Sequence, residues 1–214
     1  MANEIVQGSP EWFMQRLGCA TGSNFDACLA QGKGTAEAAT RAQYRVRLAV
    51  ERITGKVMES GFKSAAMDHG TEHEPFARML YEARTGNFVE EVSFIRHEFL
   101  MAGVSPDGLV GDKGMTEFKC PSPAVHMGYL TLVDKPPAAY KWQVYGQMWV
   151  TKRDWVDFAS YNPLFPESLQ LHVVRVYRDE ALISELADGV TKFLYDVEKT
   201  VKEIQQLEKE RSKK

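Results

Sequence analysis

At 214 residues, with 44% hydrophobic and 26% charged residues, the chain is long enough for one domain with a real core and too ordinary in composition to be disordered or fibrous. A net charge of −3 counts against a passive nucleic-acid coat, but it leaves room for a local basic surface that holds phosphate beside metal-binding carboxylates. No apolar run approaches the roughly 20 residues that cross a bilayer, the start MANEIVQGSPEW has no signal-peptide pattern, and three scattered cysteines (Cys19, Cys28, Cys120) without a CxxC pair count against a disulfide framework, a cysteine zinc site or an iron–sulfur cluster. A cytoplasmic, reducing setting is expected.

Ser9-Pro10 reads as the cap and first position of a short helix. A second helix starts near Thr21 or Ser23, with Phe25, Cys28 and Leu29 on its buried side. GKGTAEAAT (32–40) is a small-residue loop carrying Lys33, either a surface linker or an arm that touches substrate. A helix over 41–54 has Tyr44, Leu48 and Ile53 among its apolar positions, and a break containing Gly55 and Gly61 follows. The next helix spans 68–85, with Phe76, Leu80 and Ala83 at core-facing spacing and Pro75 expected near its start or at a kink.

Beyond Gly86 the pattern changes to β-branched and aromatic residues broken by Pro and Gly, which predicts three antiparallel strands at about 88–96, 99–104 and 115–120. A short helix follows at 123–133, then one at 138–149 that is apolar on most sides and therefore well buried. Strands at 155–163 and 169–179 precede a helix from Ala181 to near the end, with Leu182, Leu186, Val190, Phe193 and Val197 at intervals of three or four. The order is that of an α/β protein of the α+β kind. No Gly-rich loop suggests a nucleotide cofactor.

The strongest local signal is SPDG followed by EFK. Residues i and i+2 of a strand share a face, so a hairpin can bring Asp107 beside Glu117 with Lys119 on the same surface. Two carboxylates and the Phe118 backbone carbonyl are hard oxygen ligands of the kind Mg²⁺ or Mn²⁺ takes, and a neighbouring lysine can orient or deprotonate an attacking water or stabilise a developing oxyanion. The same residues also have an ordinary reading, since Pro-Asp-Gly often only makes a turn and Glu-x-Lys is often a solvated strand face. Glu74 is a candidate third carboxylate, with Asp68, Glu72 and His73 as competitors. His69 and His73 have zinc-compatible helical spacing without a supporting motif. Arg16 and Ser23 form a candidate phosphate-binding pair, although Arg16 could instead pair with Glu11. Gln143 and Gln147 sit in an otherwise apolar helix and need partners, so one of them is expected to face a cleft or to make an internal hydrogen bond. Tyr140, Trp142, Tyr145 and Trp149 read as core rather than as base-stacking platforms.

With these residues in view, the sequence resembles the lambda exonuclease family, the YqaJ-like viral recombinases of the PD-(D/E)xK nuclease superfamily. The resemblance runs from about Trp12 to Pro163 through WFMQRLGCATGS, GTEHEPFARMLYEARTG, GVSPDGLV with TEFKCPSP, and YKWQVYGQMWVTKRDWVDFASYNP, in the family's order. It implies a restriction-endonuclease-like core, a central mixed sheet flanked by helices, in a single nuclease domain over 1–214 with its C-terminal helix at about 181–210. It implies that Asp107, Glu117, the Phe118 carbonyl and Glu74 hold Mg²⁺ (Mn²⁺ shares the same ligand preferences), two ions per site. Lys119 is then the catalytic lysine, Gln143 supports the site, and Arg16 and Ser23 receive a 5′ phosphate; Lys33 is a candidate DNA contact from the reading of its loop alone. The implied activity is 5′-to-3′ digestion of one strand of linear double-stranded DNA, releasing mononucleotides and leaving a 3′ overhang. A homotrimer ring, a single-strand annealing partner and a phage or prophage gene expressed in a bacterial cytoplasm complete what the family implies. The rivals are an endonuclease on the same fold, a DNA-end-binding scaffold without catalysis, and an oligomerisation module built on the C-terminal helix.

Overall fold

Ser9 and Pro10 start the structure as their residue types dictate. The Ser9 side chain accepts from the Trp12 N–H at 3.2 Å, and Pro10 opens helix α1 (Pro10–Gln15). The computed structural model describes residues 5–34, 36–58 and 65–213, leaving aside the side chains of 65–68, which include the competitor Asp68. After α1 come strand β1 (Ala20–Thr21), a 3-10 turn (Gly22–Asn24), α2 (Phe25–Leu29), α3 (Ala39–Thr54) and α4 (Ala65–Thr85). Next are β2 (Ile95–Arg96), β3 (Ala102–Val104), β4 (Gly108–Val110), β5 (Gly114–Lys119) and α5 (Pro123–Tyr129). A 3-10 turn (Ala138–Tyr140) leads into α6 (Lys141–Thr151), followed by β6 (Trp155–Tyr161), β7 (Leu171–Tyr177) and α7 (Glu180–Arg211).

The strands form two mixed sheets. In the smaller, order β1-β3-β2, β1 runs parallel to β3 and β2 antiparallel to it. In the larger, order β4-β5-β6-β7, the central pair β5–β6 is parallel and both flanking pairs are antiparallel. The sheet follows the period-two rule on both faces. Met115, Val156, Phe158, Val174 and Val176 pack into the core shared with α2, α3, α6 and α7. Phe118, Ala159, Tyr161 and Leu171 pack with Ala77 and Tyr81 of α4. Strand β5 is therefore buried on both sides, and its odd-numbered residues, Glu117 among them, face the α6 side.

Three expectations need correction. The predicted strands 88–96, 99–104 and 115–120 are not one antiparallel set. Residues 88–94 pass from the larger sheet, where Glu90 bridges Leu109, to the smaller, where Ile95–Arg96 pairs with β3. A chain segment that changes sheets cannot keep one ladder. The hairpin partner of β5 is instead the short β4. In α4 the buried positions are Ala77 and Tyr81, both fully covered, whereas Phe76 is 52% exposed and Ala83 is exposed. The helix carries apolar residues on several sides: of the expected stripe Leu80 does pack on this core, half-buried, while Ala77 and Tyr81 take the buried places expected of Phe76 and Ala83. Pro75 lies well inside this helix rather than at its start. The helix expected over 123–133 closes already at Tyr129. Among the described residues, no helix is long and apolar enough to cross a membrane.

A buried polar latch fixes α4 to the larger sheet. The Tyr81 hydroxyl donates to Asp157 Oδ2 at 2.6 Å, and Arg175 donates to both Asp157 oxygens at 2.8 Å from the other side. Replacing Asp157 with alanine leaves the buried Tyr81 O–H without its acceptor, although the hydroxyl oxygen still accepts from Asn87 at 3.1 Å, while Arg175, 39% exposed, can turn to solvent. D157A should therefore lose about 1–3 kcal/mol, which a chemical denaturation midpoint at unchanged m-value will register. A change below about 0.5 kcal/mol would mean the latch is not under load.

Candidate active site

The site grows from the β4–β5 hairpin. Asp107 lies in the turn between β3 and β4, where its N–H donates to the Thr116 carbonyl at 3.2 Å. Its Oδ2 accepts from the Phe118 N–H at 2.6 Å. In an extended strand the N–H and C=O of one residue point to the same side, so the Phe118 carbonyl faces the Asp107 side of β5. Glu117, 1% exposed, and Lys119 lie two residues apart on the face of β5 opposite the Phe118 ring, and Lys119 Nζ donates to Glu117 Oε1. From α6, Gln143 Nε2 donates to the same oxygen at 2.6 Å, while Gln147 Nε2 donates to Glu117 Oε2. Of the two glutamines, then, both meet the carboxylate.

Two cavities meet at this point. A narrow cleft of about 160 Å³ is lined by Asp107, Glu117 and Lys119 together with Arg16, Ser23 and Ser105. A wider groove of about 1240 Å³ continues past Lys119 along Glu74, Cys120, Tyr129 and Tyr140. Ser23 is exposed at the 3-10 turn before α2. The Arg16 guanidinium lies 3.7 Å over the Trp12 ring, and the Trp12 indole N–H donates to Ser105 Oγ at 3.0 Å. This contact ties the helix that carries Arg16 to the turn that carries Asp107. Lys33 is exposed in the loop between α2 and α3 and lines neither cavity. Its loop is held by Glu37, which accepts from Arg41 at 2.5 Å and from Arg45 at 2.9 Å. Tyr140, Trp142, Tyr145 and Trp149 all pack on the core, and Tyr140 also borders the groove.

The electrostatics are those of carboxylates short of positive charge. Burial first, then the neighbouring Glu117, pushes the Asp107 carboxyl well above the usual range, against the opposing pull of Lys119. Glu74 is raised by burial and by Glu117, with Lys119 again opposing. Burial lowers Lys119, but Glu117 and Asp107 outweigh it and hold the amine protonated. Burial, with Glu74 and Asp107, takes the Cys120 thiol up to about 12, so this cysteine is not a nucleophile. Three carboxylates thus share one ammonium. Among the described residues no three His, Cys, Asp or Glu side chains form a ready-made metal cage. Asp107 and Glu117, with the Phe118 carbonyl next to Glu117 in sequence and Glu74 close enough to be felt, are nevertheless a hard-oxygen donor set with uncompensated charge. That set fits a divalent cation.

The comparisons with known proteins agree with this geometry. A profile described as the YqaJ-like viral recombinase domain matches residues 11–154, two thirds of the chain. The chain belongs to this family. Among solved structures, it is 37% identical to an alkaline exonuclease (LHK-Exo) from Laribacter hongkongensis, with a TM-score of 0.85 over 94% of this chain and 99% of that one. LHK-Exo in complex with dAMP gives 37% identity and a TM-score of 0.86 over the same shares of the two chains. A phage-related exonuclease from Haemophilus somnus 129PT shares the fold at 16% identity, with a TM-score of 0.67 over 87% of this chain and 96% of that one. The curated proteins contain no match. The family's fold, a mixed sheet between helical layers, is the one seen here. The sequence reading did not single out Ser105, which sits inside the quoted SPDG motif. An apolar helix gives no phase from which to tell its two amides apart; the resemblance pointed to Gln143 alone, and the structure adds Gln147 on the same carboxylate.

Proposed function

We propose that the protein is a metal-dependent exonuclease that degrades one strand of linear double-stranded DNA from its 5′ end. The observation that carries this reading is the narrow cleft whose lining brings Asp107, Glu117 and Lys119 together with Arg16, Ser23 and Ser105. A terminal phosphate held by the arginine fork and the hydroxyls lays the first internucleotide linkage toward the carboxylates. The membership of the family, the likeness to alkaline exonuclease and the dAMP bound to that relative all favour release of mononucleotides.

Asp107, Glu117, the Phe118 carbonyl and Glu74 would hold Mg²⁺, with Mn²⁺ as its substitute and two ions at the full site. Such cations, when bound, neutralise phosphate charge and acidify water. Glu117 is held in orientation by Gln143 and Gln147. Lys119, kept protonated by Glu117 and Asp107, presents its ammonium to the phosphate and stabilises the negative charge that develops there. Lys33 reaches DNA from its exposed loop. The same reading gives a ring-shaped homotrimer that keeps duplex threaded, a 3′ overhang handed to a single-strand annealing protein, and work in the cytoplasm of a bacterial host.

Digestion of end-labelled linear duplex with Mg²⁺, with closed circular duplex alongside, tests the function. Loss of 5′-terminal nucleotides from the linear DNA alone, faster with a 5′ phosphate than with a 5′ hydroxyl, is the expected result. Cutting of the circle would make the protein an endonuclease, and no cutting of either would make it a binding protein. R16A in the same assay should reduce the phosphate advantage by about 10–100-fold, the worth of charge-assisted hydrogen bonds to an anion. Equal losses on both kinds of end would remove Arg16 from that role.

A further inference from the structure

Glu117 accepts from three side-chain donors. Oε1 accepts from Lys119 Nζ and Gln143 Nε2, and Oε2 accepts from Gln147 Nε2. Each carboxylate oxygen has two lone pairs. Oε1 is therefore filled, and Oε2 keeps one lone pair whose direction is set by the Gln147 amide. The terminal torsion of a glutamate is otherwise broad, so without a donor on Oε2 the carboxylate plane could turn about its Oε1 contacts.

Gln147 is an odd residue for its surroundings. It is 1% exposed, between the buried Val144 and Met148 on one side of α6 and beside Gly146. Its own Oε1 is buried and has no hydrogen-bond partner among the described residues. A methionine of the same length would fill the space without burying an unpaired carbonyl oxygen. The side chain makes chemical sense through its N–H donor alone, and that donor goes to Glu117. Gln143 is only half buried and lines both cavities, whereas Gln147, almost wholly buried, borders the narrow cleft alone.

We propose that Gln147 is a positioning residue for cation capture: by clamping Oε2 it fixes the plane of the Glu117 carboxylate and aims the remaining lone pair at the site beside Asp107. The inference rests on the reading of Asp107 and Glu117 as metal ligands. Residues that orient metal ligands in this way typically change affinity by about 10–100-fold when replaced, and the same range is expected here.

The test is Mn²⁺ titration of the DNA-free protein followed by electron paramagnetic resonance, for wild type and for Q147M, with melting in EDTA alongside. Q147L serves if Q147M does not fold. The expected result is Mn²⁺ binding weakened by about 10–100-fold while the EDTA melting temperature stays equal or rises. In single-turnover cleavage the rate at saturating DNA should fall with little change in the DNA concentration needed for half-saturation. Wild-type Mn²⁺ binding in the variant overturns the role, and so does weaker binding that comes only with a lower melting temperature, the mark of a packing residue. If wild type itself binds no Mn²⁺, the metal-site reading falls first and takes the role of Gln147 with it. If wild type binds and Q147M binds equally well, only the positioning role falls.

Discussion

The K119A variant should bind duplex DNA ends about as well as wild type and cleave them about 10³-fold more slowly, the usual loss when one positioned proton-transfer or charge-stabilising group is removed. Lys119 is placed for this by two features. Its position at the end of β5 puts it two residues beyond Glu117 on the same face, and its ammonium is held protonated by Glu117 and Asp107. The amine also lies 5.2 Å from the Tyr140 ring, which leaves it at the junction of cleft and groove. Binding should survive because Arg16, Ser23 and the exposed surface around them are untouched. Single-turnover cleavage under saturating protein, with fluorescence anisotropy for binding, separates the two quantities. Cleavage by K119A at the wild-type rate would show that the site has been assigned to the wrong residues.

What the sequence made legible follows from how local each feature is. The Ser9-Pro10 start of α1, the start of α7 near Ala181, and the shared face of Glu117 and Lys119 depend on neighbours within a few residues, and the structure has all of them. The PD…ExK spacing works for the same reason, because a short hairpin leaves Asp107 few places to go. The features that were missed depend on distant partners. The parallel pairing of β5 with β6 needs the crossover through α5 and α6, and parallel strands require a long connection of that kind. The phase of α4 is set by Tyr81 reaching Asp157, a residue 76 positions away. The joint grip of Gln143 and Gln147 on Glu117 could be read only as a choice between two amides, since one turn of helix separates them and an apolar surrounding hides which side faces the cleft. Ser105 drew no attention because a serine before Pro-Asp-Gly is ordinary turn chemistry. Its place beside Trp12 and Arg16 appears only when α1 is folded against the turn.

D107N should separate stability from activity in opposite directions. Burial and the nearby Glu117 hold the Asp107 carboxyl well above its usual range, so the folded protein binds that proton more tightly than the unfolded chain does. Stability then falls as pH rises from the ordinary carboxylate range through the raised folded value, and at neutral pH without metal the penalty is at its fullest. Asparagine removes the charge and retains an oxygen to accept from the Phe118 N–H, now at 2.6 Å. In EDTA at neutral pH, D107N should therefore be more stable by about 1–2 kcal/mol, within the range found when a functional site is relieved of such conflict, or roughly 2–8 °C in melting temperature for a chain of this size. The gain should shrink as pH is lowered toward 4, where the wild-type carboxyl is protonated in both states. Added Mg²⁺ should reverse the order, raising the melting temperature of wild type by ligand linkage and leaving D107N nearly unmoved. Cleavage by the variant should be lost. A D107N protein that melts lower than wild type in EDTA, or that gains as much from Mg²⁺, would mean that Asp107 shapes the turn and does not hold the cation. The expected pattern would show that the carboxylate is kept against the interest of the metal-free fold because the loaded site requires it.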